Sequence, residues 1–253
     1  MAITYQSSAV SYGSISISAS YPASVAKGDG LVLIVGQKPV TANGGGVTTP
    51  TGWSLLASLT GAGGYGATTG ADVGNCNIYA YANDDVDGSE TGSLALTLSD
   101  SNSAWAAIFR LSNDSKQWSF AAATGSDATA GNVSIAFGTD PGVTAGDFIL
   151  AGMVIPTDVT TPSQFSAEAL SQSGITFGTV TEAQEPDSTT GNDIGGFVVR
   201  APVSSGTSAG APSMTATAGG TTTNVRGPGV FIRCRQAPSR SARAMATNRR
   251  RRA

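Results

Sequence analysis

A stretch that occurs twice sets the limits on what this chain can fold into. Gly28-Asp29-Gly30-Leu31-Val32-Leu33-Ile34-Val35 returns 118 positions later as Gly146-Asp147-Phe148-Ile149-Leu150-Ala151-Gly152-Met153. In each copy a Gly-Asp turn feeds a short apolar run rich in branched residues. That pattern predicts a strand buried on at least one face. The same offset pairs Gly13 with Gly131, Ile17 with Ile135, Val25 with Val143, Tyr79 with Phe197, Tyr81 with Val199 and Leu96 with Met214. At an offset of 112, Thr48-Thr49-Pro50 and Trp53 meet Thr160-Thr161-Pro162 and Phe165. At 122, Phe109 meets Phe231. Offsets that change only between elements are what loop insertions and deletions produce, so the chain reads as two similar units.

The predicted units are 1–113 and 114–236, with Asn113-Asp114-Ser115-Lys116 as the linker and 237–253 as a basic tail in which nothing packs from Gln236 onward. Only 12% of residues are charged while 40% are apolar, which sets the chain apart from a charged disordered polymer. Six or seven short strands per unit are expected, divided by Gly, Pro, Asn and Asp turns. Residues 3–18 read as one half-buried strand, ending in the alternating Ser14-Ile15-Ser16-Ile17-Ser18. In Asn75–Ala82, Cys76, Ile78 and Ala80 share one face, with Asn77, Tyr79 and Tyr81 on the other. Thr161-Pro162-Ser163-Gln164 has the form of a helix cap, but the repeat equates 162–172 with a strand. The predicted fold is all-β: two tandem antiparallel β-sandwich, jelly-roll-like units related by internal duplication.

The absence of histidine removes Ser-His-Asp and Cys-His catalysis and most zinc and non-haem iron sites. Gly206-Thr207-Ser208-Ala209-Gly210 matches a nucleophile-elbow pattern but has no His base and reads as a connection between strands. Gly61-Ala62-Gly63-Gly64-Tyr65-Gly66 matches a dinucleotide fingerprint without the helix such a loop needs. Asn83, Asp85 and Asp87, followed by Gly88, carry the first half of a calcium-loop spacing; Leu94 stands where the closing carboxylate belongs, with Glu90 as a substitute. Asp158, Glu168, Glu182, Glu185 and Asp187 contain the carboxylates a glycosidase pair would need. Tyr5, Tyr12, Tyr21, Tyr65, Tyr79 and Tyr81 are candidate platforms for sugar rings. No cofactor is expected.

Charge is split along the chain. Six of the 14 basic residues, Arg240, Arg243, Arg249, Arg250, Arg251 and Arg252, lie in the last 14 positions. Eight then face 17 acids, a body of −9 beside a +6 end. Such a strap suits an acidic protein surface, including the body of a neighbouring copy, ahead of nucleic acid. The start of the chain lacks a secretory pattern, and no apolar run is long enough for a membrane helix, so folding in a cytoplasm with two free thiols, Cys76 and Cys234, is expected.

The order Gly28-Asp29 plus apolar strand, Pro50-Thr51-Gly52-Trp53-Ser54-Leu55-Leu56, the strand Asn77–Ala82, then Trp105-Ala106-Ala107-Ile108-Phe109-Arg110 resembles β-sandwich modules of tailed-bacteriophage virion proteins of the minor tail, tail-fibre and decoration types. The likeness covers residues 13–112, and the second unit is a more divergent copy. It implies a non-enzymatic, oligomeric virion component, assembled in the host cytoplasm, that contacts other virion proteins and a host-surface glycan. Its Gly-rich loops 40–52 and 61–75 would face outward. A capsid decoration protein and a carbohydrate-binding module are the alternatives.

Overall fold

An apolar residue at every position from Leu31 to Val35 requires cover on both sides of the strand, and the architecture supplies it. The computed structural model describes residues 3–41, 43–62, 75–129, 131–156, 164–188, 194–219 and 226–238, and no helix lies among them. The first half holds β1 (Thr4–Gly13), β2 (Ser16–Ser20), β3 (Gly30–Pro39), β4 (Gly46–Val47), β5 (Ser54–Ala62), β6 (Cys76–Asn83), β7 (Ser93–Ser99) and β8 (Ser101–Ser112). The second holds β9 (Trp118–Asp127), β10 (Val133–Phe137), β11 (Phe148–Ile155), β12 (Phe165–Ser171), β13 (Ile175–Phe177), β14 (Thr181–Gln184), β15 (Asp187–Ser188), β16 (Ile194–Gly206), β17 (Ser213–Ala218) and β18 (Gly227–Gln236). The segment read as a contest between cap and strand is the strand β12.

All recorded pairings are antiparallel, and the two halves share one strand order. The first has a large sheet β1-β8-β3-β6-β5 and a small sheet β2-β7-β4. In the second, β9-β18-β11-β16 faces β10-β17-β12. The nested pairs are β1 with β8, β2 with β7 and β3 with β6 in the first half, and β9 with β18, β10 with β17 and β11 with β16 in the second, in each case a long antiparallel ribbon wound into a sandwich: the jelly roll. In the second half β10 also joins β9, through Ala136 opposite Ser126, so its two sheets run on as one. The sequence reading had too few strands. Residues 3–18 divide into β1 and β2, and β9 was not anticipated.

Three apolar clusters stack the sheets into four layers. Leu31, Leu33 and Val35 of β3 meet Ile17 and Leu96 inside the first sandwich. Ile149, Ala151 and Met153 of β11 meet Ile135 and Met214 inside the second. The opposite faces of these strands, with Val32 and Ile34 on one side and Leu150 and Val154 on the other, form a third core between the units. Every residue of β3, β6 and β11 is therefore buried. Cys76, Ile78 and Ala80 join the inter-unit core while Tyr79 and Tyr81 point into the first sandwich, the division predicted from alternation.

The repeated Gly-Asp turn is the same device twice. Gly28 and Gly146 have φ of 85° and 87°, left-handed values that glycine tolerates. Asp29 and Asp147 donate their backbone N–H to Ala26 and Thr144, at 3.0 and 3.1 Å. Their carboxylates accept from the N–H of those same residues, at 2.8 Å each. An arginine from the last strand closes each turn: Arg110 Nε at 2.6 Å from Asp29 Oδ2, and Arg235 Nη2 at 2.7 Å from Asp147 Oδ2. Asp29→Ala and Asp147→Ala are each expected to lower the unfolding free energy by about 1.5–3 kcal/mol, the usual worth of hydrogen bonds to a charged group. Chemical denaturation measures it, and an unmoved midpoint would show that neither carboxylate fixes the sheet.

Two sequence equivalences need correction. Leu33 pairs with Ile108 and its counterpart Ala151 with Phe231, so Ile108, not Phe109, corresponds to Phe231. A one-residue slip reverses the faces: Phe109 lies between the units and Phe231 inside the second sandwich. Likewise Trp53 precedes β5 of the large sheet, whereas Phe165 opens β12 beside β17 in the small one. Both fill sandwich cores, but from different strands. The tail also begins later than predicted, since Ala237 is buried and donates its N–H to Gln117 O at 3.0 Å.

Candidate functional site

Two polar residues on otherwise apolar strands organise one end of the first sandwich. Gln37 of β3 and Asn77 of β6 are fully buried and lie opposite one another. Asn77 Nδ2 donates to Gln37 Oε1 at 3.1 Å and to Gly44 O at 2.9 Å, and its Oδ1 accepts from Gly61 N at 2.8 Å. Gln37 Nε2 donates to Ser99 O at 2.8 Å. One amide thus holds both the 40–52 loop and the entry to the 61–75 loop. Gly45, at φ 99°, sits so close that a Cβ would lie 2.4 Å from Asn77 Nδ2. Tyr81 donates to Val47 O at 3.1 Å, and burial pushes its hydroxyl pKa up to about 12, keeping it a neutral donor. The arrangement ties two loops to one end of the large sheet through neutral hydrogen bonds of buried side chains. Sequence reasoning passed over Gln37; the signal was the pair of amides interrupting two facing apolar runs.

The calcium candidates do not converge. Asn83 Oδ1 accepts from Asp85 N at 3.0 Å, Asp87 Oδ1 from Ser89 N at 2.8 Å, and Glu90 Oε2 from Gly88 N at 2.9 Å. These are side chains capping their own turn. The hydrogen bonds from Ser89 hold Asp87 below the usual carboxylate range. Among the described residues no three His, Cys, Asp or Glu side chains gather as a metal site would require.

Three of the predicted acids do come together. Glu168 on β12 and Glu182 on β14 lie near Glu185, whose Oε1 accepts from Gln164 N at 2.6 Å and Phe165 N at 3.2 Å. Burial, then repulsion from Glu185 and Glu168, raises the Glu182 pKa to about 7. Glu168 borders a cleft of about 450 Å³ floored by Leu170, Ile175, Phe177 and Val180. The carboxylate of Glu185 is engaged in holding the start of β12. Asp187 is drawn away to β15, where its N–H donates to Tyr12 Oη at 3.2 Å. Asp158 lies outside the described residues.

The tyrosine platforms divide. Tyr79 and Tyr81 are core residues, 6% and 1% exposed, and cannot carry a sugar. Tyr21 packs at the edge of the same core, Tyr12 is exposed, and Tyr65 is outside the described residues. Tyr5 carries the guanidinium of Arg200 over its ring at 4.1 Å. Ser208 of the elbow pattern donates its hydroxyl to Asp140 Oδ1 at 2.8 Å, just past the end of β16, with no helix following among the described residues. Gly63 to Gly66 of the fingerprint, and all six arginines of the strap, lie outside the described residues. No family model matches this chain, and no characterised protein or solved structure does either.

Proposed function

We propose that this chain is a non-enzymatic structural protein of a phage virion, an oligomeric tail- or head-associated appendage that works by fitting against neighbouring copies and other virion proteins. One observation carries the reading: the two jelly rolls are fused through a third core, Val32, Ile34 and Phe109 against Leu150, Val154 and Ile232, into a four-layered block. A block of that kind keeps its outer surfaces at fixed spacing, which suits assembly better than turnover. The +6 end complements the −9 body, so copies are able to strap onto one another. Descent of the two units from one duplicated module accounts for their common strand order.

The test is truncation before Arg240, which spares Ala237. The truncated chain is expected to unfold at the same midpoint as the full one and to be incorporated into particles at least roughly tenfold less, the effect of losing several charge contacts. Equal occupancy in purified particles would remove the strap from the proposal.

A further inference from the structure

An arginine without a carboxylate partner stands at the seam between the units. Arg200 of β16 has its Nε buried with no acceptor, and among the described residues the ion pairs are those of Arg110 and Arg235. Its guanidinium Cζ lies over the Tyr5 ring, 4.1 Å from the centroid, which shields one side of the charge from water. Tyr5 is itself fixed, its hydroxyl 2.7 Å from Ser8 Oγ. Arg200 and Tyr5 line a cavity of about 300 Å³ together with Thr4, Thr179, Thr181 and Phe148. That is the lower end of the size range of small-molecule sites. Both units contribute: Thr4 and Tyr5 come from β1, and Thr181 stands opposite Arg200 in the β14–β16 ladder.

We infer that this cavity binds a small hydroxylated carboxylate, of the size and chemistry of a sugar acid. The guanidinium is a permanent cation whose planar edge matches a carboxylate. The threonine hydroxyls both donate and accept, and so suit hydroxyl groups on the rest of the ligand. Among the described residues Arg200 is the single cation in the lining, which balances one negative charge and not the two of a phosphate, and none of the described lining residues is an acid. Glu182, next in the chain to Thr181, points to the other face of β14, where Glu185 and Glu168 but not Arg200 act on its ionisation.

Calorimetric titration of the full chain with glucuronate, glucose and inorganic phosphate tests this. Glucuronate is expected to bind with a dissociation constant on the order of 1 mM, as a ligand of about a dozen atoms in a small site does. Glucose and phosphate should bind at least tenfold more weakly. Arg200→Met, which keeps the alkyl stem over Tyr5, should weaken glucuronate at least tenfold. Equal binding by that variant, equal binding of glucose or phosphate, or no saturable heat with the wild-type chain would overturn the assignment. Should Arg200→Met fail to fold, Thr179→Val leaves the Arg–Tyr stack intact. A severalfold loss of glucuronate affinity is then expected, and an unchanged affinity overturns the site.

Discussion

Expressed alone, residues 1–113 are expected to aggregate, and to be rescued into soluble material by co-expression with residues 114–253. The reason is the core between the units. Cutting the chain at its linker leaves the first sandwich closed but strips the cover from Val32, Ile34, Ile78, Trp105, Phe109 and Leu111 on the far side of its large sheet. Each aliphatic or Phe side chain returned to water costs roughly 1.5–3 kcal/mol. The bared face would exceed the few hundred Å² of contiguous apolar surface that soluble monomers carry. The second half faces the same difficulty with Trp118, Phe148, Leu150, Val198 and Ile232. Polar ties also cross the seam, among them Lys38 Nζ to Pro156 O at 3.0 Å, Gln184 Nε2 to Ser8 Oγ at 2.7 Å, Trp118 Nε1 to Gly28 O at 3.0 Å and Trp105 Nε1 to Gly195 O at 3.3 Å, but a typical hydrogen bond nets only about 0.5–1.5 kcal/mol. Size-exclusion chromatography and denaturation of the isolated half decide the matter. A monodisperse monomer that unfolds cooperatively would mean that the third core contributes little.

The same core explains what could be read from the sequence and what could not. Offset matches such as Ile17 with Ile135, Leu96 with Met214 and Tyr79 with Phe197 held because each pair fills the inside of its own sandwich, where shape and apolarity are demanded alike in both units. The inter-unit faces carry no such demand. There the two units touch each other, so a glycine on one side answers an aromatic on the other. Gly30 in the first unit stands where Phe148 does in the second because Trp118 already occupies the space: a Cβ on Gly30 would lie 2.6 Å from its ring. Tyr79 and Tyr81 read as exposed platforms in the sequence because alternation normally leaves one face of an antiparallel strand in water. In a four-layered block the inner strands of the large sheets, β3, β6 and β11, have no wet face. The strand β9 escapes a reading of the sequence because Ser119 to Thr124 holds mostly small residues with weak alternation. As for the site, Asn77 stood out on its strand but Gln37 did not, and nothing in the spacing of Tyr5 and Arg200 announced that a seam would bring them together.

Trp105→Ala is the single substitution expected to cost most, about 3–5 kcal/mol, a large part of the stability of an ordinary domain. Trp105 is fully buried, and its indole spans the seam, where Nε1 donates to Gly195 O of the other unit at 3.3 Å. It lies on two glycines, one from each side. A Cβ on Gly36 would come within 2.5 Å of its Cε2, and one on Gly196 within 3.2 Å of its Cζ2. Such a fit leaves neither backbone free to collapse into the void, which puts the loss at the cavity-forming end of the range. Gly195 O would also lose its indole donor. For a chain of this length the melting temperature should fall by roughly 10 °C. Trp105→Phe, which keeps part of the volume and drops the donor, should cost clearly less. The position of the tryptophan makes a second demand. Because it serves both units, both should loosen together and the melt should stay a single transition. Two separated transitions, or a loss below about 1 kcal/mol, would show that the units hold their folds independently of the contact between them.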